Sequence, residues 1–135
     1  MYASPSVLAV LVFALQCQAA SLYVATSGSD SNAGTLAAPF ASIQKGVDTA
    51  IAGDTIYLRA GTYSPTKNIQ IAKSGTSSAP YTIRPYASEK VIIDGENMPG
   101  TPMGLDESLA NANRGIFHIQ NANYWKLYNL EYGMI

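Results

Sequence analysis

Residues 39–59 read PFASIQKGVDTAIAGDTIYLR, and a helical pattern gives way to a strand within them. Phe40, Ile43, Val47, Ala50 and Ile51 recur at steps of three and four, which lines one face of an α-helix. Pro39 suits the start, where a missing N–H costs nothing, and Gly53 can take the left-handed conformation that ends a helix. After Asp54, the run Thr55-Ile56-Tyr57-Leu58-Arg59 is β-branched and aromatic, the composition of a strand.

Downstream, short runs of the same kind alternate with turn residues. They are Asn68–Ile71, Tyr81–Arg84, Val91–Ile93, Ile116–Ile119, and Trp125–Leu127 with Leu130. Ala60-Gly61-Thr62, Lys73–Thr76, Asp94-Gly95 and Asn121-Ala122-Asn123 separate them, and residues 96–115 form one longer excursion. Many short strands suit either an antiparallel sandwich or barrel, or a parallel β-helix in which each strand stacks on the one a turn earlier. Hairpins favour two-residue Asn-Gly or Asp-Gly connections, and only Asp94-Gly95 offers one. Ile56 and Ile83 are 27 residues apart, and Ile69 and Val91 are 22 apart. Both spacings lie near the ~20–30 residues of a solenoid turn. The helix favours the solenoid, because a stack of strands has an open end that needs covering. The expected fold is all-β: the first coils of a parallel β-helix, with the face of Phe40, Ile43 and Val47 as an N-terminal capping α-helix.

Upstream, Ser21–Ala25 reads as a strand and residues 27–39 as a loop. Asp30-Ser31-Asn32-Ala33-Gly34 has the D-x-N-x-G opening of a calcium loop. Counted from Asp30, however, the twelfth position is Ala41 rather than a carboxylate, and the sixth is Thr35 rather than glycine. No metal is assigned there. Asp30 and Asn32 are expected to fold back on their own backbone in Asx-turns, with Gly28 and Gly34 at positive φ.

Val7–Leu15 is an unbroken apolar run, too short for the ~20 helical residues that span a bilayer. Cys17-Gln18-Ala19 places small residues at the −3 and −1 positions of a signal-peptidase site. Residues 1–19 are therefore expected to be a signal peptide, the mature chain starting at Ala20 or Ser21, and the protein to be secreted and extracellular, with no membrane attachment after cleavage. Cys17, the sole cysteine, would leave with the signal, so core packing and backbone ladders must hold the exported fold. The 135 residues make one domain at most, here 20–135, and a net charge of −1 argues against electrostatic capture of nucleic acid.

Two longer stretches, LYVATSGSDSNAGTLAAPFASIQKGVDTAIAGDTIYLRAGTY and NIQIAKSGTSSAPYTIRPYASEKVIIDGE, resemble the N-terminal segment of secreted right-handed parallel β-helix proteins, most of all the family-9 polysaccharide lyases, which are pectate lyase-like. RGIFHIQNANYWKLYNLEY continues the likeness to about residue 132. The resemblance implies a right-handed helix and a monomeric, calcium-dependent enzyme that cleaves acidic polysaccharide such as pectate by β-elimination. It also implies that the aspartates holding calcium and the basic residue that removes the proton lie on later coils. No residue here matches them, so no catalytic, cofactor-binding or metal-binding residue is assigned. The chain is read as a truncated N-terminal piece, itself inactive. The rival expectation is a non-catalytic extracellular β-helix that binds glycan or serves as an adhesin-like scaffold.

Pectate-type elimination removes a proton next to a uronate carboxylate. It needs several carboxylates converging on calcium, and a Lys or Arg base of lowered pKa. Asp94 and Glu96 are read as turn residues, Asp106 and Glu107 as a solvated tip, Asp54 as part of the helix-to-strand turn, and Asp48 as solvated. His118 and Lys126 are expected to point outward from their strands, with Phe117 and Ile119 filling the interior. The tyrosines and Trp125 are expected to pack in turns and core rather than to stack on sugars.

Overall fold

The structure, a computed structural model, describes residues 19–98 and 115–133. The expected signal peptide up to residue 18 and the Asp106-Glu107 pair lie outside those residues. In chain order the elements are β1 (Ser21–Val24), α1 (Ile43–Thr49), β2 (Thr55–Leu58), β3 (Gly61–Tyr63), β4 (Ile69–Ile71), β5 (Tyr81–Pro85), β6 (Val91–Asp94), β7 (Phe117–Ile119), β8 (Trp125–Leu127) and β9 (Glu131–Gly133).

The strands form three sheets, β1-β2-β5-β8, β3-β6-β9 and β4-β7, and every pair is parallel. From β2 onward the chain supplies one strand to each sheet in turn and then returns to the first. The antiparallel alternative is thereby excluded for the described residues. Ile56 pairs with Ile83, as their spacing suggests. The 22-residue spacing misleads, because Ile69 pairs with Phe117 and Val91 with Gly61, on different sheets. Val91 is claimed by β3, a strand read as a turn from its Gly and Thr, so it stands one sheet away from Ile69. Residues 95–116 fall between β6 and β7, so Ile83 meets Leu127 only after 44 residues, against 27 for the preceding step.

Alternation along the strands builds the core. Leu22, Ile56, Ile83 and Leu127 stand in one register row, Val24 and Leu58 in the next, and Ile71 and Ile93 face the same interior from the other sheets. Val24, Ile56, Leu58, Ile71, Ile83 and Ile93 are wholly buried. Each such side chain contributes roughly 1.5–3 kcal/mol relative to exposure. The last strand of each sheet is less well covered, with Leu127 half-buried and Ile119 49% exposed. Ile119 therefore does not fill the interior as expected: among the described residues no strand lies beyond β7 to cover it.

The helix is shorter than its periodicity suggests. It begins at Ile43, with the Ser42 hydroxyl accepting from the Lys45 amide at 3.1 Å. Phe40 precedes it and makes a parallel bridge to Val24, its amide donating to the Tyr23 carbonyl at 2.9 Å. Ala50 is already extended, so Ile51 swings outward and is 50% exposed. Gly53, at φ +95°, serves the tight turn that joins Ile51 to Asp54 rather than the helix end. The buried face is Ile43, Gly46 and Val47, packed against β1, β2 and β4. Gly46 permits the approach: a Cβ there would lie 3.0 Å from Ile56 Cγ2 and 3.2 Å from Val24 Cγ2.

Asp30 is the larger correction. Its carboxylate does not form a local Asx-turn but reaches forward to the helix entry. Oδ1 accepts from the Ala41 and Ser42 amides at 2.9 and 2.8 Å, and Oδ2 from the Ser42 hydroxyl at 2.7 Å. The Asn32 amide donates to the Pro39 carbonyl at 2.9 Å. Of the two glycines, only Gly34 has positive φ, at +80°.

Candidate functional site

The four-stranded sheet turns its second set of side chains outward. Register places Tyr23 beside Tyr57 and Tyr57 beside Arg84, with Thr55, Thr82 and Lys126 in the neighbouring row. None of these is acidic. Tyr23 and Tyr57 stack with centroids 5.4 Å apart, and Tyr86 sets its edge against both at 5.7 and 5.9 Å. The three rings are half-buried and pack on one another.

Arg59 borders this cluster. Its guanidinium lies 5.0 Å from the Tyr86 centroid and grips Glu89 through two bonds, Nε to Oε1 at 2.6 Å and Nη2 to Oε2 at 3.2 Å. That pairing, helped by the Ala60 amide and opposed by desolvation, holds the Glu89 carboxyl below its ordinary range. Arg84 and Lys126 are exposed. Neither belongs to an ion pair among the described residues, which hold only Arg59–Glu89 and Lys90–Glu131. Their charges face solvent and are available to an anionic ligand.

A concavity of about 840 Å³ lies between the helix entry and residues 62–70; Ser42, Tyr63, Lys67, Asn68 and Gln70 are among its walls. Among the described residues its walls carry no carboxylate or imidazole to pair with Lys67, so no acid–base pair is assigned there.

Among the described residues, those singled out from sequence do not converge. Asp94 accepts from the Glu96 amide at 2.9 Å, a turn as expected. Asp48 is exposed and accepts from Gln44 one turn earlier on the helix. His118 is half-buried beside Gln120, 3.3 Å away. Asp54 is buried, one oxygen accepting from the Ala20 amide and the other from the Ile51 amide, each at 2.8 Å. Among the described residues no three His, Cys, Asp or Glu side chains come together as a cation would need. The donor set therefore does not fit calcium, and no catalytic step is assigned to it.

Sequence reasoning passed over Lys73. Its ammonium donates to the Ala50 carbonyl just past the helix end and lies 5.4 Å from the Tyr81 ring centroid. Burial lowers its pKa, against the opposing pull of Asp48 and Asp54. A lysine 23 residues beyond Ala50 carries no local signal of that contact.

Three sheets of parallel strands, visited in turn by the chain, are the architecture of a parallel β-helix. The sequence profile described as "Pel9A-like, right handed beta helix region" matches residues 22–134, and the chain belongs to that family. It is 65% identical over 113 residues to "Pectate lyase PEL9" of Emericella nidulans, an alignment covering 84% of this chain and 28% of that protein. It is 42% identical over 77 residues to "Uncharacterized protein YwoF" of Bacillus subtilis, covering 57% and 16% of the two chains. The chain thus spans well under a third of these curated relatives. Among solved structures, a rhamnogalacturonan lyase shares the fold at TM-score 0.60 and 22% identity, over 83% of this chain and 28% of the other. A lacto-N-biosidase from Eubacterium ramulus does so at TM-score 0.64 and 21% identity, over 84% and 20%.

Proposed function

We propose that this chain forms the first rungs of a right-handed parallel β-helix, capped by α1, in a secreted polysaccharide lyase that cleaves acidic glycan, with pectate the first candidate. The carrying observation is the 65% identity to a protein named as a pectate lyase, extending over 113 residues. The cap is supported by the apolar face that α1 lays on β1, β2 and β4. The anionic substrate is supported by Arg84 and Lys126, exposed and without ionic partners among the described residues, on a sheet face whose two register rows contain no carboxylate.

In this reading the segment binds and supports rather than reacts. It positions polymer against the outer sheet face, and calcium and the proton-abstracting base belong to the remainder of the complete enzyme. The similarity to both a lyase and a lacto-N-biosidase fits that division, since one scaffold can carry different glycan chemistry.

The test incubates the complete secreted protein with polygalacturonate and calcium, then with chelator. Unsaturated, ultraviolet-absorbing ends that vanish with chelator are expected. Saturated reducing ends would reassign the protein to the hydrolases, and binding without cleavage would favour an adhesin-like scaffold.

A further inference from the structure

A buried carboxylate faces the head of β1, beside the expected processing site. Asp54 is only 3% exposed. Its Oδ2 is satisfied by the Ile51 amide, while Oδ1 takes its hydrogen bond from the backbone nitrogen of Ala20 at 2.8 Å. The Ala20 carbonyl in turn accepts from Thr55, at 3.0 Å, which fixes the nitrogen's position at the head of β1. Ala19 and Ala20 are themselves exposed, so the bond between them is open to a peptidase.

We propose that an export endopeptidase cuts between Ala19 and Ala20, and that the α-ammonium released at Ala20 pairs with Asp54 and locks the first strand onto the second. The inference rests on reading residues 1–19 as an export signal. Cys17 and Ala19 fit the small −3 and −1 positions, whereas the neighbouring cut, which starts the chain at Ser21, puts the larger Gln18 at −3. The structure separates the two. A cut after Ala20 removes the donor and strips a buried carboxylate of one of its two partners. A cut after Ala19 leaves the nitrogen in place and adds a charge to it.

The chemistry balances with water alone. The Ala19–Ala20 C–N bond breaks, hydroxide completes the Ala19 carboxyl, and the nitrogen gains a proton from water and a further one at neutral pH. One N–H⁺ continues to Asp54 and the others face solvent. A charge-assisted hydrogen bond is about twice as strong as the neutral one it replaces. The groups facing this pair are Lys73 and Tyr81, both electrostatically coupled to Asp54. Lys73 is already engaged with the carbonyls of Asp48 and Ala50 and does not substitute for the ammonium.

An adjacent carboxylate raises an amine's pKa above the ordinary α-amino value of about 7.7–8.0. The stabilisation is therefore complete below that range and is lost as pH rises through the raised value.

The experiment has two arms. The complete protein is secreted from a yeast host and its N-terminus determined by mass spectrometry; Ala20 is expected. A start at Ser21 or at another processed position overturns this proposal while leaving export intact, whereas an intact Met1 overturns the export reading as well. In the second arm, purified protein starting at Ala20 is compared with the same protein acetylated at Ala20 and with Asp54→Asn. The free amine is expected to melt roughly 4 °C above the acetylated form at about pH 6, and the difference to disappear near pH 10. Acetylation should have no such effect on Asp54→Asn. Equal melting of free and acetylated forms with Asp54 intact would refute the ion pair.

Discussion

Trp125 lies flat on Tyr81, with ring centroids 4.3 Å apart and planes 8° from parallel. The two are register partners on β5 and β8, so the stack joins successive strands of the first sheet. The Trp125 indole also donates to the Lys73 carbonyl at 2.7 Å. Trp125→Ala removes the stack, part of the apolar cover and that bond together. A loss of about 3–5 kcal/mol is expected in denaturant unfolding of the complete protein. Trp125→Phe should recover part of it, because a ring remains but the donor does not.

Gly34 reports on the loop that leads to the helix. At φ +80° it already occupies a region that costs other residues about 1–2 kcal/mol. A Cβ there would also meet the Phe40 ring at 2.4 Å. Gly34→Ala should therefore destabilise the protein well beyond Gly53→Ala. At φ +95° Gly53 is strained as well, but its nearest neighbour would be Ala79 Cβ at an ordinary 3.5 Å. Thermal melting of the two variants side by side measures the difference.

Asp30 gives the fold an acid-sensitive joint. Desolvation tends to raise its pKa, but hydrogen bonds from the Ser42 hydroxyl and amide and the Ala41 amide, with Lys45 nearby, together hold it below the ordinary value. The contribution is present above the unfolded carboxyl value of about 3.9 and is lost as pH falls through the lowered folded one. The site is exposed, so solvent screens the effect and it is small. Asp30→Asn should flatten the acid limb of a melting-temperature profile below about pH 4 and lower the plateau above it.

Tyr63 is the matching alkaline group. Its hydroxyl serves the Val24 and Arg59 carbonyls at 3.0 and 2.7 Å, and burial pushes its pKa up to about 12. Because the folded value is raised, the stability linked to this group holds below about pH 10 and falls away as pH rises through the folded value. Ultraviolet titration should show a tyrosine that ionises late, and Tyr63→Phe should remove it. That variant should also cost about 1–3 kcal/mol, since two carbonyls lose their shared donor.

What could be read from sequence was what repeats or alternates. Ile56 and Ile83 announced their own pairing, because a turn without a long insertion returns an inward residue after 27 residues, whereas the 44-residue step to Leu127 hid the next pair. β3 and β9 were not legible: Gly61-Thr62-Tyr63 and Glu131-Tyr132-Gly133 are three residues long, and only stacking on a neighbouring strand makes them β. Phe40 fell on the helical period by coincidence and belongs to a bridge with Val24. Asp30 reaches its partners across 11 and 12 residues, a distance at which local turn chemistry gives no guidance. The outer face was visible only in part, because Tyr57 and Arg84 meet through register and not through sequence proximity.

The central claim is that this segment holds acidic polymer and takes no part in the reaction. Steady-state kinetics of the complete enzyme carrying Arg84→Ala and Lys126→Ala test it most directly. On polygalacturonate, KM should rise roughly ten-fold with kcat unchanged, as loss of uniform binding requires. A collapse of kcat at unaltered KM would contradict the claim, and so would kinetics indistinguishable from the unmodified enzyme.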